Sequence, residues 1–213
     1  MKQHQATTPR RSLPERLLSL WRDRRRWLLQ WHNAIRFRRA ARRKNLSLTF
    51  GKGLLLDRKL VFRAEGSHCT VHIGDGVQSH GTSTLVVSRE GSLHIGDGVY
   101  LNDGVMISCL GQVEIGDHTL IGPQVNIFDN NHLFGPQGVS RECRPGRVRV
   151  GKNCWIAANV ILLDGACIGD NCVIGAGCII RDDVPDGTIV TVHQTQSRHV
   201  ITPRTTERTE NER

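Results

Sequence analysis

Aliphatic residues recur every six positions over the C-terminal part of this chain. Val150, Ile156, Leu162, Ile168, Ile174 and Ile180 form one series. Four residues after each stands a smaller one: Cys154, Val160, Ala166, Cys172, Cys178 and Val184. One place before each of these come Asn153, Asn159, Gly165, Asn171, Gly177 and Asp183. Gly and Asn, and less often Asp, tolerate the left-handed backbone region, so the third series predicts regularly spaced corners. A helix repeats its apolar positions at three and four, and a half-buried strand at two. A period of six with one turn residue per unit fits neither. It fits a chain that runs straight, bends and repeats, so that three sixes make one eighteen-residue coil of a β-solenoid. Stacked at the strand spacing of roughly 4.8 Å, equivalent positions superpose and bury a continuous apolar column. The predicted class is all-β.

The same signature extends upstream. Ile73-Gly74-Asp75-Gly76-Val77, Ile95-Gly96-Asp97-Gly98-Val99 and Ile115-Gly116-Asp117-His118-Thr119 are copies of one corner. The few residues beyond eighteen in each coil fall near Ser88–Gly91 and Leu110-Gly111. Leu54, Leu60 and Phe62 mark a looser first coil over 46–66. Between Ile127 and Val150 the register skips, and the polar, Gly- and Pro-containing excess predicts an extruded loop over 133–149 opening just after His132. Loops on a rigid scaffold are where function concentrates. The pattern stops after Pro185, so the expected division is an arm over 1–45, a solenoid over 46–187 and a polar tail over 188–213, disordered at least from 203.

Charge separates the arm from the solenoid. Residues 1–50 hold fourteen Lys or Arg against Glu15 and Asp23, a net of +12, whereas residues 51–213 carry a net of −3. Ser12-Leu13-Pro14-Glu15 has capping-box spacing, and Leu17, Leu20, Trp21, Leu28, Trp31 and Ile35 recur at threes and fours. The arm is therefore expected to form a basic amphipathic helix. Two readings stay open: contact of residues 12–45 with an anionic membrane surface, or packing of the apolar stripe on the solenoid or a partner subunit. Nucleic acid is not expected, because the solenoid offers no basic groove. Seven cysteines without paired spacing suit a reducing compartment. Neither an apolar stretch long enough to span a bilayer nor a secretory apolar core stands out, and the expected location is cytoplasmic, with peripheral membrane contact as an option.

The candidate chemistry lies where polar residues break the repeat. His132 opens the loop, and a neutral imidazole suits a general base near neutral pH. Cys143 is the one cysteine in the loop and so the one candidate nucleophile; Cys154, Cys172 and Cys178 fill inward slots as small hydrophobes. The ten histidines offer no shared face for three metal ligands. Arg141, Arg144, Arg147 and Arg149 hint at an anionic or nucleotide-linked acceptor.

The units Ile168-Gly169-Asp170-Asn171-Cys172-Val173 and Ile174-Gly175-Ala176-Gly177-Cys178-Ile179 resemble the hexapeptide repeat of left-handed parallel β-helix acyltransferases. Asp129-Asn130-Asn131-His132, the extruded loop and Val150 to Val160 resemble the galactoside and maltose O-acetyltransferase branch, which includes enzymes of surface-polysaccharide synthesis. The resemblance covers roughly 70–187. It implies a left-handed β-helix and an acetyl-CoA-dependent transfer to a sugar hydroxyl, with no metal, in a homotrimer whose sites lie between subunits. His132 matches the histidine that deprotonates the acceptor for direct attack on the thioester, and Asn102 an acceptor contact. Trp155, Ala158, Ala176 and Arg181 match coenzyme-binding positions. The segment Val192-His193-Gln194-Thr195-Gln196 lacks the Gly and Pro of the family's final turn, and on that ground the alternative is a non-catalytic scaffold that has lost its coenzyme site.

Overall fold

The structure, a computed structural model, describes residues 28–33, 35, 39–40, 42, 46–66 and 68–193. Short parallel strands wind into a three-sided solenoid. The first sheet stacks Leu46–Phe50, Cys69–Ile73, Ser92–Ile95, Gln112–Ile115, Arg147–Val150, Cys167–Ile168 and Asp183–Val184. The second stacks Gln78–Ser79, Tyr100–Leu101, Leu120–Ile121, Trp155–Ile156, Val173–Ile174 and Ile189–Val190. The third stacks Val61–Glu65, Thr84–Ser88, Met106–Cys109, Asn126–Phe128, Ile161–Leu163 and Ile179–Ile180. The chain visits first, second and third sheets in turn, so every strand inside a stack pairs with the coil before and the coil after.

The six-residue series fills the interior. Ile156, Leu162, Ile168 and Ile174 are fully buried, and Val160, Ala166 and Cys172 occupy the small slots between them. Cys154 and Cys172 turn their thiols to the Gly169 and Pro185 carbonyls, each at 3.1 Å, which satisfies the weak donor in an apolar column. Burial holds the Cys154 thiol above its ordinary pKa. The corners fall where the third series places them: Asn153, Asn159 and Asn171 have φ of 54°, 58° and 57°. Asp183 does not. It lies in a strand beside Cys167, and Val184 pairs with Ile168 in the large column. The last coil is two residues short, Gly187 makes its corner, and Val190 joins the Ile174 column. The solenoid thus continues to Val190, beyond the expected boundary at 187.

An Asp at the first corner locks coil to coil wherever it occurs; at Gly151-Lys152 the position is Lys. Asp97 accepts the Asp75 N–H at 2.7 Å, and Asp117 accepts the Asp97 N–H at 3.0 Å. The same relation joins Asp170 to Lys152 and Asp186 to Asp170. The carboxylate of one coil occupies the space a Cβ would need at the glycine below, as Asp117 does over Gly96. The backbone N–H of Asp97 holds the Asp117 carboxyl below the usual carboxylate range; Lys152, whose Nζ is 3.5 Å from it, acts in the same direction against burial.

Residues 130–145 leave the solenoid between the third and first sheets as an antiparallel hairpin of Asn130–Gly135 with Gly138–Pro145, and Arg147–Val150 is already back in the first sheet. The insertion is therefore a paired ribbon, shorter than the loop expected over 133–149. Two carboxylates hold its feet. Asp129, fully buried, accepts the Leu110 N–H at 2.8 Å, the Gly111 N–H at 2.8 Å and the Asn130 amide at 3.1 Å. Asp164 accepts the Arg147 N–H at 3.1 Å and pairs with the Arg144 guanidinium at 3.0 Å.

Of the N-terminal arm, residues 28–33, 35, 39 and 40 are helical, and the rest of the expected helix lies largely outside the described residues. Asn33 is buried and donates to the Leu56 carbonyl at 3.0 Å, and Ala40 packs on the core, so this part of the arm rests on the solenoid. Among the described residues no helix is long and apolar enough to cross a membrane.

Three outcomes follow from these contacts. Gly96→Ala drives a Cβ into the Asp117 carboxylate and is expected to cost about 1–3 kcal/mol in chemical denaturation, as overpacking does. Asp129→Ala leaves two backbone N–H groups without their acceptor, at about 1–3 kcal/mol apiece, and hydrogen exchange should rise in 130–145 more than in Ile161–Leu163. His72 and His94 stack on the outer face of the first sheet with centroids 4.5 Å apart. Burial, then the neighbouring His72 charge, lowers the His94 pKa against the pull of Glu114, Asp117 and Asp97. The unfolded chain then binds more protons than the folded one just below about pH 6.5, so stability should fall as pH drops through that range. His94→Gln should flatten that decline in pH-dependent melting.

Candidate active site

His132 stands on the outgoing strand of the hairpin, exposed and directly opposite Cys143 on the returning strand. Its Nδ1 lies 3.1 Å from the Ser140 carbonyl oxygen. A carbonyl can only accept, so this contact favours the hydrogen on Nδ1, and in the neutral ring it leaves the lone pair on Nε2. The imidazole is thus turned by the hairpin's own backbone toward the tautomer a general base needs, with no carboxylate partner among the described residues. The Cys143 sulfur lies 3.5 Å from Nδ1 and 3.9 Å from Nε2. Around this pair Asn131, His132, Leu133, Phe134 and Arg144 line an open cavity of about 420 Å³. Arg89, from a corner two coils earlier, donates to the Cys143 carbonyl at 3.3 Å and ties the returning strand down.

The other candidate residues lie elsewhere on the prism. Asn102 follows Tyr100–Leu101 at the corner between the second and third sheets, where its side-chain oxygen accepts the Asp103 N–H at 2.8 Å. Trp155 is 53% exposed on the outer face of the second sheet, in register with Leu120 and Val173. Ala158 and Ala176 occupy the same corner as Asn102 on later coils, joined by the Gly177 N–H to the Ala158 carbonyl at 3.0 Å. Arg181 is exposed at the third-to-first corner, the edge that also carries the hairpin. One chain therefore places His132 and Arg181 on one edge and Asn102, Trp155, Ala158 and Ala176 on and beside another, with the third sheet between them. The arginines divide as well. Arg147 and Arg149 lie on the first sheet against Glu114, at 3.3 and 3.9 Å, and only Arg144 of the four lines the cavity, held by Asp164. Of the four arginines expected to favour an anionic acceptor, Arg144 alone is placed at the cavity.

Four contributors went unrecognised in the sequence: Asp129, Asp164, Ser140 and the closeness of Cys143 to His132. The first two had a signal. Asp129 stands two residues after Ile127 and Asp164 two after Leu162, the same place in the third-face unit. The other two arise only from hairpin pairing. No group of three or more His, Cys, Asp or Glu among the described residues is placed to hold a metal ion.

The family described as bacterial transferase hexapeptide (six repeats) matches residues 147–182. A putative lipopolysaccharide biosynthesis O-acetyl transferase of Escherichia coli K12, WbbJ, is 30% identical over 138 residues, which cover 60% of this chain and 69% of that protein. A galactoside O-acetyltransferase of Lactococcus lactis is 33% identical over 99 residues, 46% of this chain and 48% of that one, so the matched stretch spans about half of that relative's length. Among solved structures, a mutant of AntD, an N-acyltransferase of Bacillus cereus in complex with dTDP-4-amino-4,6-dideoxyglucose and coenzyme A, aligns with a TM-score of 0.54 at 19% identity over 71% of this chain and 84% of that chain, a likeness of fold. With its stacked six-residue units and a relative matched over more than two thirds of that relative's length, the chain belongs to the hexapeptide-repeat bacterial transferase family.

Proposed function

We propose that this protein transfers an acetyl group from acetyl-CoA to a sugar hydroxyl, on a galactoside-like acceptor or a precursor of lipopolysaccharide or another surface polysaccharide. The observation that carries the reading is His132: an exposed imidazole at the mouth of a cavity, with Nδ1 against the Ser140 carbonyl and Nε2 left to accept a proton. Relatives named for O-acetyl transfer support the chemistry.

In this mechanism Nε2 takes the proton of the acceptor hydroxyl as its oxygen attacks the thioester carbonyl. Backbone N–H groups stabilise the oxyanion, and the coenzyme leaves as its thiol. Acetyl-CoA supplies the acyl group; Trp155, Ala158, Ala176 and Arg181 would line its channel and Asn102 would touch the acceptor. Asn102 and Trp155 lie on a different edge from His132, so a working site needs a second copy to bring the two edges together, and a homotrimer does this. Leu120, Trp155 and Ile189, 49%, 53% and 70% exposed in one outward column of the second sheet, offer the apolar surface for such packing. The arm over 12–45 remains a candidate for peripheral membrane contact in residues beyond those resting on the solenoid.

His132→Ala should keep acetyl-CoA binding in calorimetry and lose about 10²–10⁴-fold in acetyl transfer to a panel of sugar acceptors. Retention of transfer would exclude the histidine as base. No binding at millimolar coenzyme would leave the non-catalytic scaffold as the reading.

A further inference from the structure

Cys143 is set apart from the other cysteines by what surrounds it. Cys69, Cys109, Cys154, Cys172 and Cys178 are buried, with their thiols on main-chain carbonyls. Burial raises the Cys69 thiol, and burial followed by the Asp129 carboxylate raises that of Cys109, which keeps both protonated and inert. Cys167 is half-buried on the outer face of the first sheet, between Arg149 and Asp183 in register, with no imidazole beside it among the described residues. Cys143 is half-buried on an exposed ribbon, and its sulfur touches both nitrogens of His132. A thiol and a base in reach, with the base oriented by a third group, here the Ser140 carbonyl, is the arrangement of an activated sulfur nucleophile.

We propose that Cys143 is a modification site for small disulfides, activated by His132, and that the resulting adduct shuts off the imidazole. The sulfur attacks one sulfur of the incoming disulfide while its proton passes to the ring. The old S–S bond breaks, and the departing thiolate collects the proton. One disulfide is consumed, and one mixed disulfide and one free thiol result; excess dithiol reverses the exchange by the same route. An S–S bond is about 2 Å long, and Sγ lies 3.9 Å from Nε2, so the added group has room to enter the space where the acceptor hydroxyl would approach. The inactivation clause rests on the proposed function; the modification itself does not.

The full chain is incubated with glutathione disulfide and followed by intact and peptide mass, in parallel with acetyl transfer. Wild type should gain one glutathione on Cys143 before any on Cys167, and His132→Gln should slow that step on the order of tenfold or more. Acetyl transfer should fall in step with the adduct and return with dithiothreitol, while the transfer rate of Cys143→Ser, whatever its starting level, should not change on exposure to the oxidant. First modification at Cys167, an unchanged rate in His132→Gln, or full activity with Cys143 occupied would each overturn the proposal. Because labelling needs no acetyl transfer, a chain that labels as expected but transfers nothing would count against the acetyltransferase reading alone.

Discussion

Coil-to-coil stacking is the interaction on which everything else here depends. All six strands of the second sheet are two residues long, too short to hold a conformation alone, and each finds its hydrogen-bond partners only in neighbouring coils. The apolar columns and the main-chain ladders therefore form together or not at all. The Gly-Asp corners add a polar lock to the same stacking, with each carboxylate seated over the glycine of the neighbouring coil. A lattice that repeats so closely is stiff, and stiffness is what a precise site needs from its support.

The interruption of that lattice is where the proposed chemistry lies. Coils can swell only at corners, since an extra residue within a strand would throw every later side chain to the wrong face. The third-to-first corner already carries the surplus at Ser88–Gly91, and the 130–145 hairpin grows from the same edge. Its feet are closed by buried or bridged carboxylates, Asp129 and Asp164, so a long excursion remains in register with the prism at both ends. The cross-strand pairing then sets Ser140 and Cys143 around His132. The imidazole is oriented by a backbone carbonyl, which cannot change charge, and its setting is a property of hairpin geometry.

The prism also separates what the chemistry would combine. His132 and the Asn102–Trp155 group lie on different edges of one chain, and a flat sheet stands between them. Exposed apolar residues on the second sheet and at the hairpin, among them Trp155, Ile189 and Phe134, are surfaces a single chain leaves uncovered. The proposed homotrimer would bring those edges together and cover those surfaces.

The six-residue period determined the solenoid from the sequence, because a small interior admits one large and one small side chain per face and the corners demand left-handed residues. It located Asn153, Asn159 and Asn171 at corners and Cys154 and Cys172 inside, and it marked His132 as the start of an insertion. It misplaced Asp183 and Val184, since a coil shortened by two residues keeps the same residue types while shifting their roles, and only pairing with Cys167 and Ile168 reveals the slip. It described residues 133–149 as a loop because their alternation is too polar to advertise a ribbon with both faces in solvent. The tautomer of His132, the thiol beside it, the loss of Arg147 and Arg149 to Glu114, and the division of the site between two edges were decided by tertiary structure alone. Each depends on which strands lie side by side in space, and a linear pattern carries that information only where the repeat is unbroken.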